Sequence, residues 1–223
     1  MKLTLLGFSD VSTVVLTEIA ADAIGIEPQA LKVDVVCNIE LLEETIRSVW
    51  PLPQSNLSIF HKNQWNPNSK SEILMPGVMS ALACQTVVED FEESCPIRRE
   101  DFAVIIHPSA AIASSAVIKP GTWIHPNVCV SSMTSIGFCC GINRGASIGH
   151  HNLIKDFSRI NPGAHLGGSC TVGPGATIGI GAICLEKMKI GPHAFVGGGS
   201  VVTKDVLPDS TVVGIPARPI KKE

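Results

Sequence analysis

From Ile106 to Val202 an aliphatic residue returns at every sixth position without loss of frame: Ile106, Ile112, Ile118, Ile124, Val130, Ile136, Ile142, Ile148, Ile154, Ile160, Leu166, Val172, Ile178, Cys184, Ile190, Val196 and Val202. One of the seventeen departs, and Cys184 is small and readily buried. Four residues after each comes a second, mostly small phase: Ala110, Ala116, Thr122, Val128, Thr134, Cys140, Ala146, Ser158, Ala164, Cys170, Ala176, Ala182, Ala194, Ser200 and Val206, broken by Asn152 and Met188. Strands have period two and helices 3.6, so a period of six requires an object that itself repeats every six residues. A triangular prism does so: each hexapeptide is a short strand plus a turn, three make a coil of eighteen residues, and stacked coils form parallel sheets. The large aliphatic fills the prism and the small residue fits where the chain turns. Glycine marks the corners, and seventeen of the twenty glycines follow residue 106. The chain therefore divides near residue 105.

The first hundred residues read as alternating α/β. Lys2 to Gly7 predicts a buried strand, and Val11 to Ile24 a helix capped by Ser9 or Asp10 and stopped by Gly25. Strands follow over Leu31–Cys37 and Leu57–His61, with helices over Ile39–Trp50 and from Gly77 to roughly Glu92. Such an order implies a small parallel sheet whose ligand sits at the strands' carboxyl ends, here the turn Gly7-Phe8-Ser9-Asp10. With a single glycine and an aspartate, that turn is a poor phosphate cradle, and a plain capped helix start explains it equally well.

The net charge of −3 and the absence of a basic run exclude a polyanion partner, so no nucleic acid is expected. No eighteen-residue apolar run occurs, and Met1-Lys2-Leu3-Thr4 lacks a signal-peptide pattern before polar Ser9-Asp10, so a cytoplasmic protein with no membrane association is expected. Eight cysteines without a C-x-x-C, with Cys140, Cys170 and Cys184 on interior phases, read as buried thiols rather than disulfides or a zinc site.

Four segments carry a resemblance: Ile106-His107-Pro108-Ser109-Ala110, Ser147-Ile148-Gly149-His150-His151-Asn152, Asn161-Pro162-Gly163-Ala164 and Val213-Gly214-Ile215-Pro216-Ala217-Arg218. Together they resemble the hexapeptide-repeat sugar acyltransferases with a left-handed β-helix, including sialic acid O-acetyltransferases and N-acetyltransferases acting on UDP-linked amino sugars. The resemblance implies the fold class, an N-terminal α/β domain (small Rossmann-like parallel sheet, 1–101) followed by a left-handed parallel β-helix (102–223). It implies an acetyl-CoA-dependent acetyltransferase for a sugar or nucleotide-sugar substrate, with no metal, in which the α/β domain meets the sugar nucleotide, here through Gly7, Phe8 and Ser9. In that family the equivalent of His150 is the general base, acting directly on the acceptor without an acyl-enzyme. The next position there holds Asp or Glu, whereas this chain has His151, so the catalytic pair is His150 with His151. Acetyl-CoA in the family lies along the helix between subunits, and the matching positions are Arg159, Gly168, Ile180 and Gly198.

The residue chemistry agrees with that role. Acetyl transfer needs a base for the acceptor's proton and a donor for the oxyanion. His150, two places after Ile148, points outward where a neighbouring subunit can close over it, which together with apolar prism faces predicts a homotrimer. His107, His125, Asn143 and Asn161 fall in one column, read as hydrogen bonding along a face. Lys204, Arg218, Lys221 and Lys222 gather at the last coil, where they would attract the CoA phosphates. Two other readings stand beside the transferase. One is a catalytically weakened or inactive relative acting as a binding or scaffold protein, suggested by His151 and the glycine-poor first turn. The other is a zinc enzyme like the γ-class carbonic anhydrases, disfavoured by the α/β domain and the Pro-Ala-Arg ending.

Overall fold

Alternation of short apolar runs with helical patterns builds the first unit. The computed structural model describes residues 1–38, 46–47, 50, 53–66 and 73–220, in two compact units, Met1–Ile105 and Ile106–Glu223. In the first, β1 (Lys2–Leu6), β2 (Lys32–Cys37), β3 (Leu57–His61) and β4 (Ile73–Pro76) form a parallel sheet of order β3-β2-β1-β4. Helix α1 (Asp10–Ile24) ends at Gly25, whose φ of 71° and N–H bonds to Ala21 O and Asp22 O are what an αL stop requires. Ser9 is the N-cap residue, but its side chain makes no capping bond.

Two sequence expectations change. Strand β4 is missing from the sequence pattern because four apolar residues ending in Pro76 carry too little of it. The helix expected from Gly77 starts later, at Ala81, as α2 (Ala81–Ser94) capped by Ser80 Oγ, which accepts from Ala83 N–H. Gly77 serves close approach instead: a Cβ there would strike the carbonyl oxygen of Gly7. The helix expected over Ile39–Trp50 lies largely outside the described residues.

The second unit is the prism. Two-residue strands at six-residue intervals, beginning at Ile105–Ile106, form three faces. The first face has eight strands including a terminal hairpin, Thr211–Val213 with Arg218–Ile220; the second, starting at Ala111–Ile112, has six; the third, starting at Val117–Ile118, has five. Partners are eighteen residues apart, as in Ile136↔Ile154↔Val172. All seventeen sixfold positions face the core, with Ile106, Ile112 and Ile118 partly buried at the first coil. The frame shifts after Val202. Val206 pairs with Ile190 and Val212 with Val196, sixteen residues apart, so Val206 takes a strand position rather than a place in the small phase.

From the corner after Ile118 to the one after Val196, each corner is turned by a residue in the left-handed region, three places after the aliphatic. From Gly121 to Gly199 every sixth residue has positive φ, including Asn127, His151 (56°) and His193 (52°). A non-glycine residue there costs about 1–2 kcal/mol. Main-chain bonds between coils hold it; His151 N–H, for instance, donates to Ser132 O at 3.0 Å. Among the described residues no helix is long and apolar enough to cross a membrane.

Candidate functional site

His150 and His151 lie together at the corner between the second and third faces, and both are exposed. Their Nδ1 atoms are 3.0 Å apart and the rings meet edge to face, centroids 5.1 Å apart. Two neutral imidazoles can bond this way only if one carries its proton on Nδ1 and the other accepts there. One coil further on lies Gly168, and the His150 ring occupies the space its side chain would need: an ideal Cβ would stand 2.6 Å from Cε1, 2.7 Å from Nε2 and 3.1 Å from Nδ1. The backbone fixes the corner from both sides, through Ser169 N–H to His150 O at 2.8 Å and His151 N–H to Ser132 O.

Behind the pair is Asn152, one of the two residues that break the small phase, and 1% exposed. Its Nδ2 donates to Gly149 O (2.7 Å) and Gly167 O (2.9 Å), and its Oδ1 accepts from Cys170 N–H (2.9 Å). A buried amide is stable only with its bonds made, and these clamp together the two corners that carry His150 and Gly168. Sequence reasoning marks Asn152 as a break but gives it no role; an amide where other coils have alanine, serine or threonine is the available signal.

The expected cofactor residues do not form one cluster. Gly168 belongs with His150, while Ile180, 65% exposed, and Gly198 sit together at the corner between the first and second faces. A Cβ on Gly198 would stand 3.2 Å from Ile180 O. Arg159, expected among the cofactor residues, is buried. It is 4% exposed, its guanidinium lies 4.5 Å over the Trp123 ring, and Nη1 donates to the carbonyls of Cys139 (2.7 Å), Phe157 and Ser158. Gly141, between them in the column, leaves room for both side chains: its Cβ would be 2.8 Å from Trp123 Cζ2 and 3.1 Å from Arg159 Cδ.

The polar column also differs from expectation. His107 Nδ1 bonds Ser109 Oγ at 2.8 Å, while His125 is 5% exposed and its Nε2 has no hydrogen-bond partner. Burial, with Arg144 and His107 adding repulsion, pushes the His125 imidazole down to about 4. All eight cysteines are reduced, and burial raises the thiols of Cys37 (to about 11), Cys170 and Cys184 (to about 12). Among the described residues no group of three or more His, Cys, Asp or Glu could hold a metal ion. At the last coil Lys204 and Arg218 are exposed; Lys221 and Lys222 lie outside the described residues.

In the first unit a cleft of about 440 Å³ opens at the carboxyl ends of the strands, lined by Phe8, Cys37, Asn38, Val78, Ser80, Leu82, Ala83, Thr86 and Val87. It adjoins the place where the strand order reverses, between β1 and β4. Phe8 lines it and Ser9 is half-buried beside it. Gly7 serves the backbone rather than the cleft. At φ 79° its N–H donates to Val36 O, and a Cβ would meet both γ-methyls of Val87 at 3.0 Å.

No family model and no curated protein matches the sequence. Solved structures do. A variant of GDP-perosamine N-acetyltransferase from Caulobacter crescentus, with a histidine replaced by alanine and in complex with CoA and GDP-perosamine, superposes with a TM-score of 0.77 at 19% identity, over 99% of this chain and 97% of that one. The acetyltransferase domain of PglB from Neisseria gonorrhoeae FA1090 in complex with acetyl coenzyme A gives 0.76 at 21%, over 98% of each chain. WeeI from Acinetobacter baumannii AYE gives 0.75 at 20%, over 99% and 100%.

Proposed function

We propose that the chain, which has the fold of these structures from end to end, is an acetyl-CoA-dependent acetyltransferase acting on the amino group of a nucleotide-linked sugar. The observation that carries this reading is His150, an exposed imidazole held by a second imidazole and seated on a glycine at a β-helix corner. The names of the similar structures, two of them N-acetyltransferases or acetyltransferase domains with CoA or acetyl-CoA bound, support the same class.

In the mechanism His150 carries its proton on Nδ1, donates it to Nδ1 of His151, and leaves Nε2 as the base. The acceptor nitrogen attacks the thioester carbonyl, a C–N bond forms, and His150 Nε2 takes the nitrogen's proton. The C–S bond then breaks and His150 returns that proton to the departing thiolate. Base catalysis of this kind is worth about 10²–10⁴ in rate. His151 is a positioning residue: it selects the tautomer, but as a neutral group it stabilises the imidazolium less than a carboxylate would. Gly168 clears space beside Nε2, Ile180 and Gly198 offer an open corner for the CoA arm, and the first-unit cleft at Phe8 is suited to the nucleotide. Exposed Val117 (57%), Met133 (60%) and Leu153 (43%) surround the corner, which supports a homotrimer whose neighbouring subunit closes the site.

The test is acetyl-CoA turnover with a panel of nucleotide-linked amino sugars, products identified by mass spectrometry, in wild type and His150→Ala. Transfer lowered about 10²–10⁴-fold in the variant, with CoA binding kept, supports the proposal. Equal rates in the two proteins would remove His150 as the base, and sedimentation as a monomer at micromolar concentration would remove the shared site.

A further inference from the structure

The third face carries a cleft that the reaction described above leaves unused. It measures about 350 Å³ and is lined by Lys119, Ser135, Gly137, Leu153, Ile154, Lys155, Asp156 and Pro174. We propose that this cleft is an anion subsite which holds the phosphate end of the acceptor, presenting its amino group toward His150. The proposal rests on the transferase reading for the identity of the ligand, but the site itself rests on the residues of the second unit alone.

The repeat places the charges. Lys119, Gly137 and Lys155 occupy the same phase in successive coils, one after each aliphatic of the third face, so the two lysines stand two coils apart, roughly 10 Å. At Gly137 the next coil closes in: a Cβ would stand 2.5 Å from Asp156 Oδ1, 2.6 Å from Asp156 N and 2.8 Å from the Lys155 carbonyl carbon, so the glycine serves the close approach of the two coils. Lys119 and Lys155 thus stand two coils apart in the lining of the cleft, which also holds the Ser135 hydroxyl and the Asp156 carboxylate. Among the described residues neither lysine side chain makes a hydrogen bond or ion pair, although the chain as a whole is acidic at −3. The one carboxylate in the lining, Asp156, turns Oδ1 to the Phe138 N–H at 2.9 Å, capping the coil below. Two lysines against one carboxylate, with a hydroxyl beside them, leave a net positive lining that suits an anion, and a diphosphate spans two such cations better than a single phosphate does.

Position favours the acceptor. The cleft begins at Leu153, the first strand residue after the corner that carries His150. It lies on the third face, whereas Ile180 and Gly198 lie at the corner between the other two. Pro174 adds an apolar wall against which a sugar ring can rest.

The experiment has two arms. Calorimetric titration of the full-length protein with inorganic pyrophosphate reads the cleft directly: binding that weakens at high salt is expected in wild type, is weakened roughly tenfold or more in Lys119→Gln/Lys155→Gln, and is retained in Lys119→Arg/Lys155→Arg. Steady-state kinetics read the ligand: the double Gln variant should raise KM for the nucleotide-sugar acceptor roughly tenfold or more and leave KM for acetyl-CoA within about twofold. Absence of pyrophosphate binding in wild type, or binding unaltered by the double Gln change, overturns the subsite. So does a rise in KM confined to acetyl-CoA, which would assign the lysines to the CoA phosphates. If no acceptor in the panel is acetylated, that result counts against the transferase, while the pyrophosphate titration still decides the cleft.

Discussion

Replacing Gly168 with alanine separates two roles that its position allows, a surface for CoA and a seat for His150. The new methyl would start 2.6 Å from Cε1 and 2.7 Å from Nε2 of His150. Non-bonded carbons rest at about 3.5–4.0 Å, so the ring must withdraw by about 1 Å. It can withdraw cheaply, because a side chain in solvent yields by rotating, and Gly168 is not among the positive-φ residues. Stability should therefore hold or rise by about 0.4–1 kcal/mol through the unfolded state. Catalysis has no such freedom, since a shift of that size lengthens the 3.0 Å Nδ1 contact or misaims Nε2, and a misplacement of about 1 Å costs on the order of 10² in rate. The expected outcome is kcat lowered about a hundredfold, KM for acetyl-CoA within about twofold, and an unchanged or slightly raised melting temperature. Gly167→Ala is the contrast: its Cβ would meet Glu186 N at 2.6 Å and Leu185 C at 3.0 Å, which are backbone atoms, so that variant should lose stability first. A Gly168→Ala enzyme with wild-type kcat and a raised KM for acetyl-CoA would refute the seat and return Gly168 to the cofactor.

Three further substitutions test other parts of the argument. His151→Asp places a residue that tolerates positive φ at 56° and supplies the negative charge His151 lacks, so turnover should hold or rise; lowered turnover with intact folding and CoA binding would count against His151 as a stand-in for the carboxylate. His125, held near 4 against an ordinary 6.5, is neutral in the fold, so stability is complete above about pH 6.5 and declines by about 3 kcal/mol as pH falls toward 4; His125→Asn should flatten that decline in urea titrations, and an unchanged slope would show that other groups cause it. Asn152→Ala strands Gly167 O and Cys170 N–H and should cost about 2–3 kcal/mol in the same assay, with a fall in kcat as the His150 corner loosens; a neutral effect on both would remove the clamp.

The prism was legible because its physics is local and repeated. An aliphatic every sixth residue has one geometric solution, and each further coil restates it, so single departures such as Cys184 do not mislead. The α/β unit lacks that redundancy. Strand β4 rests on Ile73–Pro76 alone, and the start of α2 depends on Gly77 pressing against the Gly7 carbonyl, a contact between segments seventy residues apart. The shift at Val206 escaped for a related reason: Val206 satisfies a four-residue spacing after Val202 and a sixteen-residue pairing to Ile190 equally well, and only the pairing fixes its place.

At the site, phase predicts direction but not what lies in that direction. His150 sits two places after an aliphatic and is exposed, as its phase requires. Arg159 sits one place before an aliphatic, equally outward, yet its charge is spent on Trp123 and three carbonyls. The information was present as a column rather than a motif: Trp123, Gly141 and Arg159 are eighteen apart, two large side chains meeting over a residue with none. The same arithmetic puts His150 beside Gly168 and Lys119 across Gly137 from Lys155. At Gly141 and Gly168 a glycine away from the positive-φ corners marks where a neighbouring coil's side chain takes the space, whereas at Gly149, Gly167 and Gly173 it marks the close approach of backbone. For a β-helix, reading every eighteenth residue therefore finds functional geometry that reading consecutive residues misses.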